Sequence, residues 1–133
     1  MGFKARAQDV RAADRRRHRA AVEELRQFGL GYPEAHIKSP WPTHADLAVR
    51  DKTFAYLSSE DKALSISCKL PRSSLLALEL PFTTPTGYGL GRSGWVSASF
   101  EWQDELPMEM LRAWIDESYR AQAPKRLVKT LTD

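Results

Sequence analysis

Gly87-Tyr-Gly-Leu-Gly-Arg-Ser-Gly-Trp-Val-Ser-Ala-Ser-Phe-Glu-Trp102 is the stretch whose reading decides the fold. In its second half Val96, Ala98, Phe100 and Trp102 alternate with Trp95, Ser97, Ser99 and Glu101. That period of two predicts a strand over Trp95–Trp102 with one apolar and one hydroxyl-rich face. The first half holds four of the seven glycines in the chain, and Pro81 and Pro85 precede it. It predicts an irregular, turning arm with Arg92 at its tip. Gly89, Gly91, Gly94 and Val96 also match glycine signatures of phosphate loops. A dinucleotide site, however, needs a strand before the glycines and a helix after them, and here a strand follows. A kinase needs a catalytic Asp and an Asp-Phe-Gly downstream, and the residues after Val96 contain neither motif. The glycines are therefore read as supplying positive φ in a turn.

Upstream of this strand, Leu64, Ile66, Cys68 and Leu70 alternate with Ser65, Ser67 and Lys69, predicting a strand over Ala63–Leu70. Asp46–Val49 and Thr53–Leu57 read as a hairpin turned by Arg50-Asp51-Lys52, with Phe54 and Tyr56 on one face and Ala55 and Leu57 on the other. Ala35–Lys38 is a short strand candidate, and Phe82–Thr84 a short edge strand. Ser39-Pro-Trp-Pro-Thr-His44 is a loop, since Pro40 and Pro42 exclude helix and ladder. Its Trp41 either plugs the core edge or offers a stacking surface.

Helical periodicity flanks the strands. Gln8–Phe28 lacks Gly and Pro, carries an apolar stripe of Val10, Ala13, Ala21, Leu25 and Phe28 with Arg17 filling its gap, and ends at Gly29 and Gly31. Arg15-Arg16-Arg17-His18-Arg19 lies mid-helix, either a phosphate-contacting patch or a solvated face with Arg19 pairing Glu23. Arg72–Leu78 predicts a short helix. Pro107–Gln122 predicts a long one with Met108, Leu111, Ile115 and Tyr119 facing the core, and Lys125–Leu131 adds a turn or two. The strand connections are mostly too short for parallel crossovers. The expectation is an α+β fold: an antiparallel sheet with N- and C-terminal helices packed on one face and the other face left open.

A chain of 133 residues is one domain's worth, so residues 1–133 are taken as a single domain. No apolar run approaches the ~20 residues that span a bilayer, and the N-terminus lacks the apolar segment of a secretory signal. The lone Cys68 excludes an internal disulfide. These features predict a cytoplasmic protein. Net charge is +3, but residues 1–28 carry eight basic and four acidic side chains against twelve and thirteen in the rest. The excess is local, a weak pointer to nucleic acid.

Catalytic constellations are missing from the sequence. His36, His44 and Asp46 are N/O ligand types, but their spacing is not that of a metal site. Cys68 shares the apolar face of its strand, where cysteine is an inert small hydrophobe, and no serine lies in a nucleophile elbow. We expect no cofactor and no enzyme activity. The residues expected to form a binding surface are Lys69, Arg72 and Arg92 as phosphate contacts, Trp95 as a stacking or wedging ring, and Arg50 and Lys52 extending the surface from the hairpin. A protein-interaction or small-molecule-binding domain using the open sheet face is the second reading.

The chain also resembles the MmcQ/YjbR-like family of small bacterial proteins. The matching pieces are Phe54-Ala-Tyr-Leu57, Ser65-Ile-Ser-Cys-Lys-Leu-Pro71, Gly91-Arg-Ser-Gly-Trp-Val-Ser97, and Leu111–Tyr119 ending in Glu117-Ser-Tyr119. The resemblance implies a frataxin/CyaY-like sandwich and a DNA-binding protein of double-wing shape. Iron binding does not carry over, because frataxins use an acidic first helix and this one is basic.

Overall fold

A computed structural model describes residues 2–131, with side chains from residue 11 onward. The elements are α1 (Gly2–Leu30), β1 (Ala35–Lys38), β2 (Asp46–Val49), β3 (Lys52–Leu57), β4 (Ser65–Lys69), α2 (Ser74–Ala77), β5 (Thr83–Pro85), β6 (Trp95–Ser99), α3 (Met108–Gln122) and α4 (Lys125–Val128). The six strands form one antiparallel sheet in the order β1-β2-β3-β4-β6-β5. The expected α+β architecture is the observed one. Leu64, just before β4, and Ile66, Cys68, Val96 and Ala98 from the strands meet Leu25 of α1 and Leu111, Ile115 and Tyr119 of α3 in one core. Burial pushes the Cys68 thiol far above its ordinary range, consistent with its reading as an inert core residue.

Two departures from strict alternation shape the sheet. Leu47 pairs with Ala55 but Ala48 pairs with Thr53, leaving Phe54 as the extra residue of a β-bulge. Phe54 and Ala55 are both fully buried as a result, and the Phe54 ring meets Tyr119 edge-on at 5.3 Å. Tyr56 alone turns to the open face, so the expected pairing of Phe54 with Tyr56 on one face is corrected. The last strand also stops at Ser99, and Trp102 lies in the following loop.

α1 is longer than the sequence suggests. Its 29 residues extend ~43 Å, against ~20 Å for the longest strand. The residue completing its buried face is His18, not Arg17. His18 Nδ1 accepts from Leu64 N at 2.9 Å, which leaves Nε2 to donate to the Trp102 carbonyl at 3.0 Å. Glu23 bonds Arg26 and Gln27 rather than Arg19.

His18 makes stability depend on pH. Burial pushes its pKa below the ordinary 6.5; the Trp102 carbonyl, Asp14 and Asp104 pull it up and Arg17 pushes it down. A depressed folded pKa contributes stability above the unfolded value and loses it as pH falls toward the folded one. Protonation would also set a second N–H against that of Leu64. Urea midpoints are therefore expected to decline as pH drops below about 6.5, and a His18→Gln chain should show a flatter profile. Equal slopes in the two chains would contradict this.

Candidate nucleic-acid interface

Strand register decides which basic residues meet. Val49 pairs with Lys52 across a two-residue turn in which Arg50 and Asp51 both have positive φ, 51° and 66°. That is the geometry of a type I′ hairpin turn. Lys69 ends β4 and pairs with Trp95 at the start of β6. Because neighbouring strands are antiparallel, the start of β3, the end of β4 and the start of β6 all lie at one end of the sheet. Arg72 follows Lys69 by three residues, and Arg92 precedes Trp95 by three. Arg50, Lys52, Lys69, Arg72 and Arg92 are thus brought to one end, about 10 Å across from β3 to β6.

Their electrostatic states differ. Arg50 is held by Glu34, with Nε 2.6 Å from Oε1. Lys52, Lys69, Arg72 and Arg92 make no ion pair or side-chain hydrogen bond among the described residues. All but the half-buried Lys69 are exposed.

The loops that carry them are built rather than loose. Leu70 N donates to Gly94 O at 2.9 Å, extending the β4–β6 ladder by one bond. The arm closes as a 3-10 turn over Leu90–Ser93, entered through Gly89 at φ 78° and left through Gly94 at φ 87°. A Cβ on Gly91 would lie 2.8 Å from Pro85 Cβ, so the turn packs against β5 only because that residue is glycine. Arg92 sits in the last turn of this 3-10 element and is exposed.

Arg72 is set by α3. Glu117, only 9% exposed, accepts from Arg72 N at 2.8 Å, Ser73 N at 3.1 Å and Ser73 Oγ at 2.6 Å. Next to it Ser118 sits between two strands, accepting from Lys69 N at 2.8 Å and donating to Phe54 O at 2.6 Å. The next residue, Tyr119, donates to Pro33 O at 2.7 Å. Of these three consecutive buried side chains, Glu117 and Ser118 tie down the backbones that carry Arg72 and Lys69, and Tyr119 ties the segment before β1.

Trp95 is the site residue whose expected role changes. It faces the open side, as its parity predicts, but is 5% exposed and not a free stacking surface. Tyr56 covers it, with ring centroids 5.4 Å apart at 52°. The two rings stand two strands apart and meet above β4, where the small Ser67 lies opposite Tyr56. Tyr56 is the ring left accessible, at 36%. Trp41, at 61%, does not plug the core.

The sequence reading missed Lys125 and Arg126. Gln122 Nε2 donates to Thr53 O at 3.0 Å, and Arg126 lies 3.8 Å from Glu34, so the start of α4 joins the same basic end. Their charge was visible in the sequence; their placement depends on where α3 ends against β3. The described arginines of α1 do not join. His18 bonds Leu64, just before β4 begins, so residues 11–18 lie at the far end of the sheet from Lys69. There Arg15 stacks over Trp102 at 5.3 Å. Lys4 and Arg6, part of the same basic segment, lie outside the described side chains.

The histidines do not gather. His36 Nε2 lies 3.7 Å from Asp51, whereas His44 Nδ1 lies 3.8 Å from Asp46. No group of three metal-ligating side chains forms among the described residues. The buried Asp46 instead accepts from Leu57 N at 2.9 Å, and burial raises its pKa. Among the described residues no helix is long and apolar enough to cross a membrane.

Fold and site together define a small α+β domain: helices on one face of an antiparallel sheet, and a cluster of cations at one of its ends. The chain belongs to the YjbR family, whose model matches residues 30–121. No curated protein matches it. Among solved structures it is similar to a Deinococcus radiodurans protein with a DUF419 domain, at 20% identity and TM-score 0.62, covering 75% of this chain and 76% of that one. It is also similar to a Pseudomonas syringae protein, at 16% identity and TM-score 0.58, covering 75% of this chain and 97% of that one. At these identities the likeness shows the fold.

Proposed function

We propose that this chain is a non-enzymatic DNA-binding protein that holds phosphates with the basic end of its sheet. The observation that carries the reading is the convergence of Lys52, Lys69, Arg72 and Arg92, none of them neutralised by a carboxylate among the described residues. An uncompensated cation cluster on a rigid scaffold attracts a polyanion and releases its counterions. Arg50, Lys125 and Arg126 flank the cluster, and Arg50 and Arg126 share Glu34 between them.

A fluorescence anisotropy titration with labelled DNA at low salt tests the proposal. Arg92→Ala and Lys69→Ala are each expected to weaken binding roughly 5- to 10-fold, about one charge-assisted contact, and to do so equally across DNA sequences. No binding by the unaltered protein at low salt would sink the reading. Affinity unchanged in Arg92→Ala would remove that residue from the interface.

A further inference from the structure

We infer that the strand bound here is single-stranded DNA, laid across the open sheet face with one base on Tyr56. The inference rests on the DNA-binding reading and adds the form of the ligand. Its starting point is a row of residues defined by register: Tyr56 pairs with Ser67, Ser67 with Ser97, and Ser97 with Thr84. The row crosses β3, β4, β6 and β5, about 14 Å in all. That width suits two or three splayed bases.

The row has what unstacked bases need. Tyr56 presents an accessible ring braced from the side by the buried Trp95, so stacking on it orders little that is not already fixed. Beside it runs a hydroxyl chain: Ser67 Oγ lies 2.6 Å from Ser97 Oγ, and Ser97 Oγ 2.9 Å from Thr86 Oγ1. Three hydroxyls supply three donors and six lone pairs, and the two bonds between them leave a donor and several acceptors for base edges. Charge complementarity fixes where the backbone runs. Lys69 borders the row beside Trp95, and Lys52 and Arg92 lie at the same end, so the phosphates follow that border while the bases reach inward.

A duplex does not fit this arrangement. Reading its major groove takes a helix or a two-stranded ribbon that projects into it. The cations here sit at strand ends and turns, and α2 has four residues. In a duplex the base planes are stacked on one another and closed to a ring lying in a sheet.

The test compares an oligothymidylate of roughly twelve nucleotides with a duplex and with an RNA strand of equal length, at one salt concentration, on the unaltered protein. The DNA single strand is expected to bind about 10-fold or more tightly than the duplex. Tyr56→Ala is expected to weaken single-strand binding on the order of 10- to 100-fold and duplex binding little, while Tyr56→Phe keeps the affinity. Thermal unfolding of each variant verifies that it is folded. A duplex bound as tightly as the single strand overturns the inference and leaves the DNA-binding reading standing. So does a folded Tyr56→Ala chain with unchanged affinity. An RNA strand bound more tightly than DNA overturns the assignment to DNA, and binding to no strand overturns both proposals.

Discussion

Glu117→Ala is expected to destabilise the fold by about 2–4 kcal/mol, or roughly 10 °C in Tm for a domain of this size. One carboxylate accepts from two backbone N–H groups and a hydroxyl in a nearly closed environment. Removing it strands the N–H groups of Arg72 and Ser73, and an unsatisfied buried donor costs more than the bond itself was worth. Glu117→Gln keeps one carbonyl acceptor and is expected to lose less. Urea denaturation of the three chains measures the difference, and a loss below about 1 kcal/mol for Glu117→Ala would contradict the account. The same substitution frees the segment that carries Arg72, so the variant is also expected to bind DNA more weakly than its parent under conditions where both are folded.

This coupling explains what was legible in the sequence. Alternation in Ser65–Lys69 and Trp95–Ser99, with short connections between strands, was enough to predict an antiparallel sheet with helices on one face. The bulge was not legible. Phe54, Ala55, Tyr56 and Leu57 are all apolar or aromatic, so no polar residue marks where the period slips, and Phe54 enters the core through packing against Tyr119. Trp95 was assigned the correct face, but parity does not say what covers a side chain. Tyr56 does so from two strands away. His18 was read as part of an arginine run, because nothing local announces that its imidazole is matched to the Leu64 amide and the Trp102 carbonyl.

The candidate site divides the same way. Arg92 and Lys69 were named from their neighbourhood to Trp95 in the strand pattern, and the β4–β6 register puts Lys69 and Trp95 opposite each other. Arg50 and Lys52 were named as an extension from the hairpin, and they lie at the same end because adjacent strands alternate in direction. Arg50 is already held by Glu34, so the proposed binding would draw less on it. The contributions of Glu117 and Ser118 were beyond reach. They act on backbone groups some 45 residues away or more, and sequence spacing carries no sign of that.

The second large effect is the dependence of binding on salt, and it tests the central claim most directly. Lys52, Lys69, Arg72 and Arg92 offer about four phosphate contacts. Each contact to duplex DNA contributes about −0.9 to the slope of log K against log salt, and about −0.7 for a single strand. The expected slope is therefore about −3 to −4, which corresponds to a loss of about 60- to 250-fold in affinity between roughly 50 and 200 mM salt. Arg92→Ala should make that slope shallower by about one unit. The decisive measurement is anisotropy of labelled DNA with the unaltered protein across this salt range. A slope near −3 to −4 is the predicted result, and a slope near zero, or no binding at the lowest salt, would contradict a phosphate-gripping role for the basic end of the sheet.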